Sequence, residues 1–165
     1  VSTSEIVRSK RPLGIYFLQV GAVMRPSSIS YNRSHSAFSE IQPSMVDWEK
    51  SLKRCHWFHW TGITPALCEG GYKTLKEGLQ LAKEKGVEVS ADPTYRSGLW
   101  KYGADPKDTL SDLMQYSTIF IGGINEMNEL LGTSYSCSNE DFIEASKTLI
   151  ETFPSIKKTF VECTK

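Results

Sequence analysis

The chain has little that would take it out of an ordinary aqueous fold. No apolar run approaches the roughly 18 residues that span a bilayer. The start, VSTSEIVRSKRPLG, holds no signal-peptide core. Neither sign of charge is in excess: Lys+Arg and Asp+Glu both total 19, for a formal net charge of zero. Nucleic-acid binders normally carry a basic surplus or stripe, so the balance argues against that partner. Cysteine is sparse. Cys55, Cys68, Cys137 and Cys163 form no CxxC pair and no regular spacing, which speaks against a disulfide framework or a zinc site. His56 and His59 stand three apart in a strand-like stretch, and that spacing turns two side chains to opposite faces. The reading is a reduced, cytoplasmic protein of one domain, with no membrane and no nucleic acid as partner.

What the chain does have is alternation. RCHWFHWTG (54–62) is an aromatic, strand-like run. Thr64 and Pro65 then read as a cap and first position of a helix. Its inner face is Tyr72, Leu75, Leu79 and Ala82, and Gly86 closes it. VEVSA (87–91) reads as the next strand. Asp105-Pro106 opens a helix with Leu110, Leu113 and Met114 inside. TIFIGG (118–123) is a continuous apolar strand of the kind buried on both sides in a parallel sheet. A short helix, NEMNELLG, follows. Ser138 and Asp141 then predict a capping box for a helix burying Phe142, Ser146, Leu149, Ile150 and Phe153. IKKTFVECT (156–164) looks like a last strand. Strand and helix repeat about every 30 residues, the pattern of βαβ units in an α/β layered sheet.

The first 40 residues differ. RPLGIYFLQV and SSISYNR are strand-like and joined by GAVMRP. A six-residue loop would pair Val20 with Ser27 and set Tyr16 opposite Tyr31, with Arg33 on the same face. Such a ribbon is barely stable alone and needs a surface to lie on. SEIQPS (39–44) is the expected joint to the body.

Ligands of open α/β sheets bind at the carboxyl ends of the strands. Here those ends carry Gly62-Ile63-Thr64, Asp92 through Arg96, and Gly122 through Glu126. With Tyr16, Tyr31 and Arg33 above them, they predict a cleft of two arginines, two tyrosines and an apolar floor. Guanidinium groups grip carboxylate or phosphate through paired hydrogen bonds, and phenolic hydroxyls read oxygen-rich molecules. The predicted ligand is small, anionic and rich in oxygens. Each residue has a plain structural use as well. Arg33 and Arg96 can be surface ion-pair partners, Tyr16 and Tyr31 cross-strand packing, Glu126 a first-turn residue favoured by the helix dipole, and Trp100 core or rim packing. Composition and spacing stop at an α/β domain with a candidate anion cleft.

RPLGIYFLQVGAVMRPSSISYNRSHSAFS, HWTGITPAL and VSADPTYRSGLW, in this order, resemble the PfkB (ribokinase-like) carbohydrate kinases, from about residue 5 onward. The PSxxxYxR and DxxYRxxLW patterns are similar to the branch that phosphorylates 2-keto-3-deoxygluconate. The resemblance implies a ribokinase-like three-layer sandwich with a mostly parallel sheet (41–165) and a small β lid (1–40). It implies ATP and Mg2+ as cofactors and a homo-oligomer joined through the lid. By it, Tyr16, Tyr31 and Arg33 cover the sugar acid, Ile63 contacts it from the floor, and Arg96 holds its carboxylate or a neighbouring oxygen. Thr94 would lie on the nucleotide side, and Glu126 would help place magnesium and its waters. Two positions depart from the pattern: Gly123 replaces the asparagine of the family's Asn-x-x-Glu, and Thr94 replaces an asparagine. Neither the family's amino-terminal glycine-rich motif nor its GAGD motif is present. The sequence therefore reads as the middle of a chain about twice as long, inactive by itself, with no catalytic base assigned. The alternatives are a kinase of a neutral sugar such as fructose and a non-catalytic acid-sugar binding module.

Overall fold

The computed structural model describes residues 3–162. Its first sheet is the predicted ribbon. Strands β1 (Ile15–Gln19) and β2 (Ser28–Asn32) pair antiparallel with Tyr16 opposite Tyr31. A bridge between Ala22 and Arg25 carries the same register into the turn. Alternation puts Tyr16, Leu18, Ile29 and Tyr31 on one face, and Ile15 and Phe17 on the other. Every residue of both strands is exposed.

The joint after the ribbon is packed rather than slack. It holds two 3-10 turns, Phe38–Glu40 and Pro43–Met45. Phe38, Ile41 and Val46 roof a cavity of about 220 Å3 whose other walls include Trp48, Phe58 and Leu75. Trp48 opens the short helix α1 (Trp48–Ser51), capped by Asp47, and its indole N–H donates to the Thr74 carbonyl at 3.0 Å.

From residue 57 onward the strand–helix alternation builds a second sheet. Strands β3 (Trp57–Thr61), β4 (Glu88–Asp92), β5 (Ile119–Gly123) and β6 (Lys158–Glu162) lie side by side in that order, all parallel. The crossovers are α2 (Ile63–Leu67) with α3 (Glu69–Glu84), then α4 (Pro106–Met114), then α5 (Ile124–Leu131) with α6 (Asn139–Thr152). Leu75 and Leu79 of α3, Leu110, Leu113 and Met114 of α4, Met127 and Leu130 of α5, and Leu149 of α6 form one buried cluster. It closes over Trp60, Val89, Ala91 and Phe120 of the sheet. The helices therefore cover one face.

On the other face Trp57 and Phe160 are 53% and 56% exposed, and no helix among the described residues lies over them. The expected three layers are represented here by the sheet and one helical layer. Burial of β5 on both sides holds for Ile119 and Phe120 but not for Ile121, which points to this open face. On that face the Trp57 indole N–H donates to Ser90 Oγ at 2.8 Å, and His59 Nδ1 lies 2.8 Å from the same oxygen. His59 is thus tied to a hydroxyl. Among the described residues no group of three or more His, Cys, Asp or Glu could hold a metal ion, and no helix is long and apolar enough to cross a membrane.

Three sequence expectations are corrected by local chemistry. The helix predicted from Thr64 to Gly86 is broken at Cys68, which is extended (φ −167°, ψ 158°) and accepts the Gly71 N–H on its sulfur at 3.3 Å, capping α3. Gly62, not Thr64, precedes α2. The far end is as predicted, with Gly86 at φ 69°. The capping box of α6 is one-sided. Ser138 Oγ accepts the Asp141 N–H at 3.1 Å. The Asp141 carboxylate instead takes the N–H and hydroxyl of Ser136, both at 2.6 Å, and these bonds draw its pKa below the usual value. Finally, the inner stripe of α6 runs through Ala145 and Leu149, with Phe142 partly buried beside them, while Ile150 stays 39% exposed. Ala145, not Ser146, is the buried small residue of that stripe. Part of the predicted last strand, with Cys163, lies outside the described residues.

Candidate functional site

The carboxyl ends of β3 and β4 touch through their backbones. The Gly62 N–H donates to the Asp92 carbonyl at 2.8 Å. A Cβ on Gly62 would stand 2.7 Å from the Thr94 carbonyl oxygen and 2.8 Å from the Pro93 carbonyl carbon. Only glycine admits this approach without displacement. It places half-buried Ile63 at the start of α2, its N–H donating to Thr61 Oγ1 at 3.2 Å. Thr94 turns inward on its own strand end. Its hydroxyl donates to Asp92 Oδ1, and its N–H donates to the same oxygen at 3.2 Å. With that proton engaged, Thr94 offers a ligand an acceptor rather than the free donor that its side chain suggests.

The ends of β4 and β5 meet in a small cavity lined by Pro93, Tyr95, Lys107, Glu126 and Glu129, among others. Glu126 Oε2 accepts the Gly123 N–H at 3.0 Å and so caps α5. One carboxylate oxygen thus serves the helix, and the other has no hydrogen-bond partner among the described residues. Two carboxylates with one oxygen already engaged do not make a closed metal cage. They fit a hydrated magnesium ion, which keeps most of its waters and needs few direct protein ligands.

The two-stranded ribbon contributes from above. The Tyr16 and Tyr31 rings lie 6.4 Å apart, tilted by 48°, and the Arg33 guanidinium sits 5.1 Å from the centre of the Tyr31 ring, within cation–π range. The stem of Arg33 runs past Gly14, where a Cβ would stand 3.2 Å from Arg33 Cγ. Tyr31, Arg33, Ser34 and Ser39 face Leu67, Gly98, Leu99 and Lys101 across a cavity of about 100 Å3. These last three residues follow Arg96 in the chain. Arg96 itself precedes the 3-10 turn Ser97–Leu99, its carbonyl accepting the Leu99 N–H at 2.9 Å, and its side chain is exposed. The structure therefore brings Tyr31 and Arg33 against the loop that Arg96 begins. The side chains of Arg96, Tyr16 and Ile63 are not walls of that cavity. Thr94 and Glu126 belong to the strand-end group below, connected to the ribbon group by residues 93–101.

Lys101, Ser34, Ser39 and Leu67 are the cavity residues that sequence reading overlooks. A signal for Lys101 existed: it stands between Trp100 and Tyr102, whose rings stack at 6.3 Å. Aromatic neighbours that turn one way leave the residue between them to turn the other. Tyr102 fastens this loop to the body, its hydroxyl donating to the Pro65 carbonyl at 2.7 Å. Burial, aided by the nearby Cys68, Glu69 and Tyr72, pushes its pKa up to about 12. A raised phenol pKa leaves stability intact below the ordinary value near pH 10 and removes it as pH climbs toward 12. Equilibrium urea unfolding should accordingly weaken between pH 10 and 12, and Tyr102→Phe should flatten that part of the profile. An unchanged alkaline slope in the variant would refute the assignment.

No protein-family model matches the chain. Among curated proteins, the 2-dehydro-3-deoxygalactonokinase of Haloferax volcanii is 29% identical over 118 residues, which is 72% of this chain and 36% of that protein. The crystal structure of 2-dehydro-3-deoxygluconokinase from Thermotoga maritima superposes with a TM-score of 0.88 at 34% identity, over 98% of this chain and 49% of that one. A PfkB family carbohydrate kinase from Listeria grayi gives a TM-score of 0.83 at 24% identity, over 97% and 48%, a likeness of fold. The chain has the fold of the PfkB carbohydrate kinases, and its similarity falls on the sugar-acid kinases that its motifs resemble. It spans between about a third and a half of the length of these relatives.

Proposed function

We propose that the protein is a cytoplasmic sugar-acid kinase that transfers the γ-phosphoryl group of ATP to 2-keto-3-deoxygluconate (also called 2-dehydro-3-deoxygluconate). The observation that carries this reading is the meeting of Tyr31 and Arg33 with the loop that Arg96 begins, at the carboxyl end of a parallel sheet. Neither arginine has a carboxylate partner among the described residues. An acidic substrate would supply one. The likeness to kinases of keto-deoxy acids points the same way.

In this reading, Arg33 and Arg96 hold the acid end from above and from the strand end, while Tyr16 and Tyr31 cover the sugar. Ile63 gives the apolar floor. Phosphoryl transfer depends mainly on positioning and on charge stabilisation, and this chain contributes positioning. Thr94 borders the nucleotide, and Glu126 orients waters of a magnesium ion. The ion, when bound, neutralises charge on the phosphates. Tyr16 and Tyr31 face the substrate, which leaves Ile15 and Phe17, 47% and 61% exposed, for the lid of a second copy. Pairing two ribbons would give each the support that an isolated hairpin lacks.

A substrate panel on the native-length protein tests the proposal. Keto-deoxy acids should be phosphorylated with kcat/KM about 100-fold above fructose, because only an acid gives Arg33 and Arg96 a charge-assisted partner. Preference for fructose would make the protein a neutral-sugar kinase. Tight binding of the acid without any turnover would make it a binding module.

A further inference from the structure

The cavity under the lid contains a cation that the proposed chemistry has not used. Its walls carry two positive side chains, Arg33 and Lys101, the serines Ser34 and Ser39, the Tyr31 ring, and no carboxylate. Neither cation has an ion-pair partner among the described residues, although six other basic side chains do. The local backbone accounts for where Lys101 stands. Leu99 is buried and anchors the 3-10 turn. Trp100, at φ −76° and ψ 75°, makes an inverse γ-turn in which the Lys101 N–H donates to the Leu99 carbonyl at 2.9 Å. Trp100 and Tyr102 then stack on each other, and the Tyr102 hydroxyl is bound to Pro65 of the body. Lys101 is left on the lid side.

Two like charges on one small cavity repel, and an anion between them reverses the sign of that interaction. We infer that Lys101 is a specificity residue: with Arg33 it holds the carboxylate of the sugar-acid substrate at the mouth between lid and body. This rests on the sugar-acid reading above and adds to it a residue outside the two arginines. The division of labour follows from the side chains. Arg33 is fixed by the Tyr31 ring and by its close pass along Gly14, so it supplies a planar, oriented fork. Lys101 is exposed, so it supplies a point charge with rotatable donors on a long aliphatic stem.

The test is calorimetric titration of the native-length protein with 2-keto-3-deoxygluconate and, separately, with fructose. Lys101→Gln should raise Kd for the acid about tenfold, the size of one partly exposed charge-assisted hydrogen bond, and leave weak fructose binding unchanged. Lys101→Arg should restore most of the acid affinity, and Lys101→Glu should weaken it beyond the glutamine variant. Lys101 is exposed, so thermal melting should be the same in all three. Loss of both ligands in parallel, or unchanged acid affinity in Lys101→Gln, overturns the inference while leaving the sugar-acid reading in place. Failure of the unaltered protein to bind the acid overturns both.

Discussion

Arg96→Ala should cut kcat/KM for 2-keto-3-deoxygluconate by about tenfold to a hundredfold, the range for losing one charge-assisted hydrogen bond from an exposed side chain. The KM for ATP should move by no more than about threefold, since uniform binding of the nucleotide does not pass through this side chain. The asymmetry follows from position. Arg96 stands between the strand-end residues Thr94 and Tyr95 and the turn whose Gly98 and Leu99 face Arg33. It has no carboxylate partner among the described residues, so its removal leaves no protein acid unpaired, and stability should be nearly unaffected. Steady-state kinetics with each substrate varied in turn decides the matter. Equal losses for acid and nucleotide would show that Arg96 supports the cleft in general and clamps no carboxylate.

Gly62→Ala should lower stability by about 2–3 kcal/mol, the upper range for overpacking, which corresponds to a fall in melting temperature of about 5–10 °C for a chain of this size. The cause is steric. The φ of Gly62 is −61°, which alanine adopts freely, but the added carbon would stand 2.7 Å from the Thr94 carbonyl oxygen. Both partners are backbone at the ends of paired strands, so neither yields cheaply. Relief would come by parting β3 from β4, which displaces Ile63 and Thr94 together and should raise KM for both substrates. Gly98→Ala is the control: nothing lies within 4 Å of a Cβ there, and its stability should stay within about 0.5 kcal/mol of the parent. Calorimetric melting of the two variants side by side is the measurement. A Gly62→Ala protein as stable as Gly98→Ala would mean that the strand ends are not held in contact.

Much of this architecture was legible beforehand, for reasons that are local. The period-two alternation around Tyr16 and Tyr31, with a six-residue loop, admits one register, and the strands adopt it. The apolar residues of α3 and α4 recur at helical spacing, and those predicted to face inward do so, with Tyr72 partly buried. Where prediction strayed, a competing contact had intervened. Thr64-Pro65 is a good helix start by propensity. The sulfur of Cys68 and the close packing of Gly71 on the Thr64 carbonyl moved the start of α3 four residues later. Ser138 and Asp141 have the right spacing for a reciprocal cap, yet two donors on Ser136 outcompete one backbone N–H for the carboxylate.

The candidate site divides the same way. Tyr31 and Arg33 were legible because two residues apart on a strand share a face, and Glu126 because a glutamate in the first helical turn is a recognisable signal. Lys101 was not, because its flanking aromatics, Trp100 and Tyr102, become a signal only once their rings are seen to stack on one side. By itself, then, the sequence determined what is set by neighbours along the chain: the strand and helix periods, the register of the ribbon, the residues at each strand end and the absence of excess charge. Tertiary structure alone decided which of those ends touch, that the helices cover one sheet face, that the Thr94 proton is engaged by Asp92, and that Lys101 rather than Arg96 lines the cavity with Arg33. Those outcomes depend on through-space distances of a few ångströms between segments far apart in the chain, where a single Cβ or hydroxyl changes the answer and no periodicity records it.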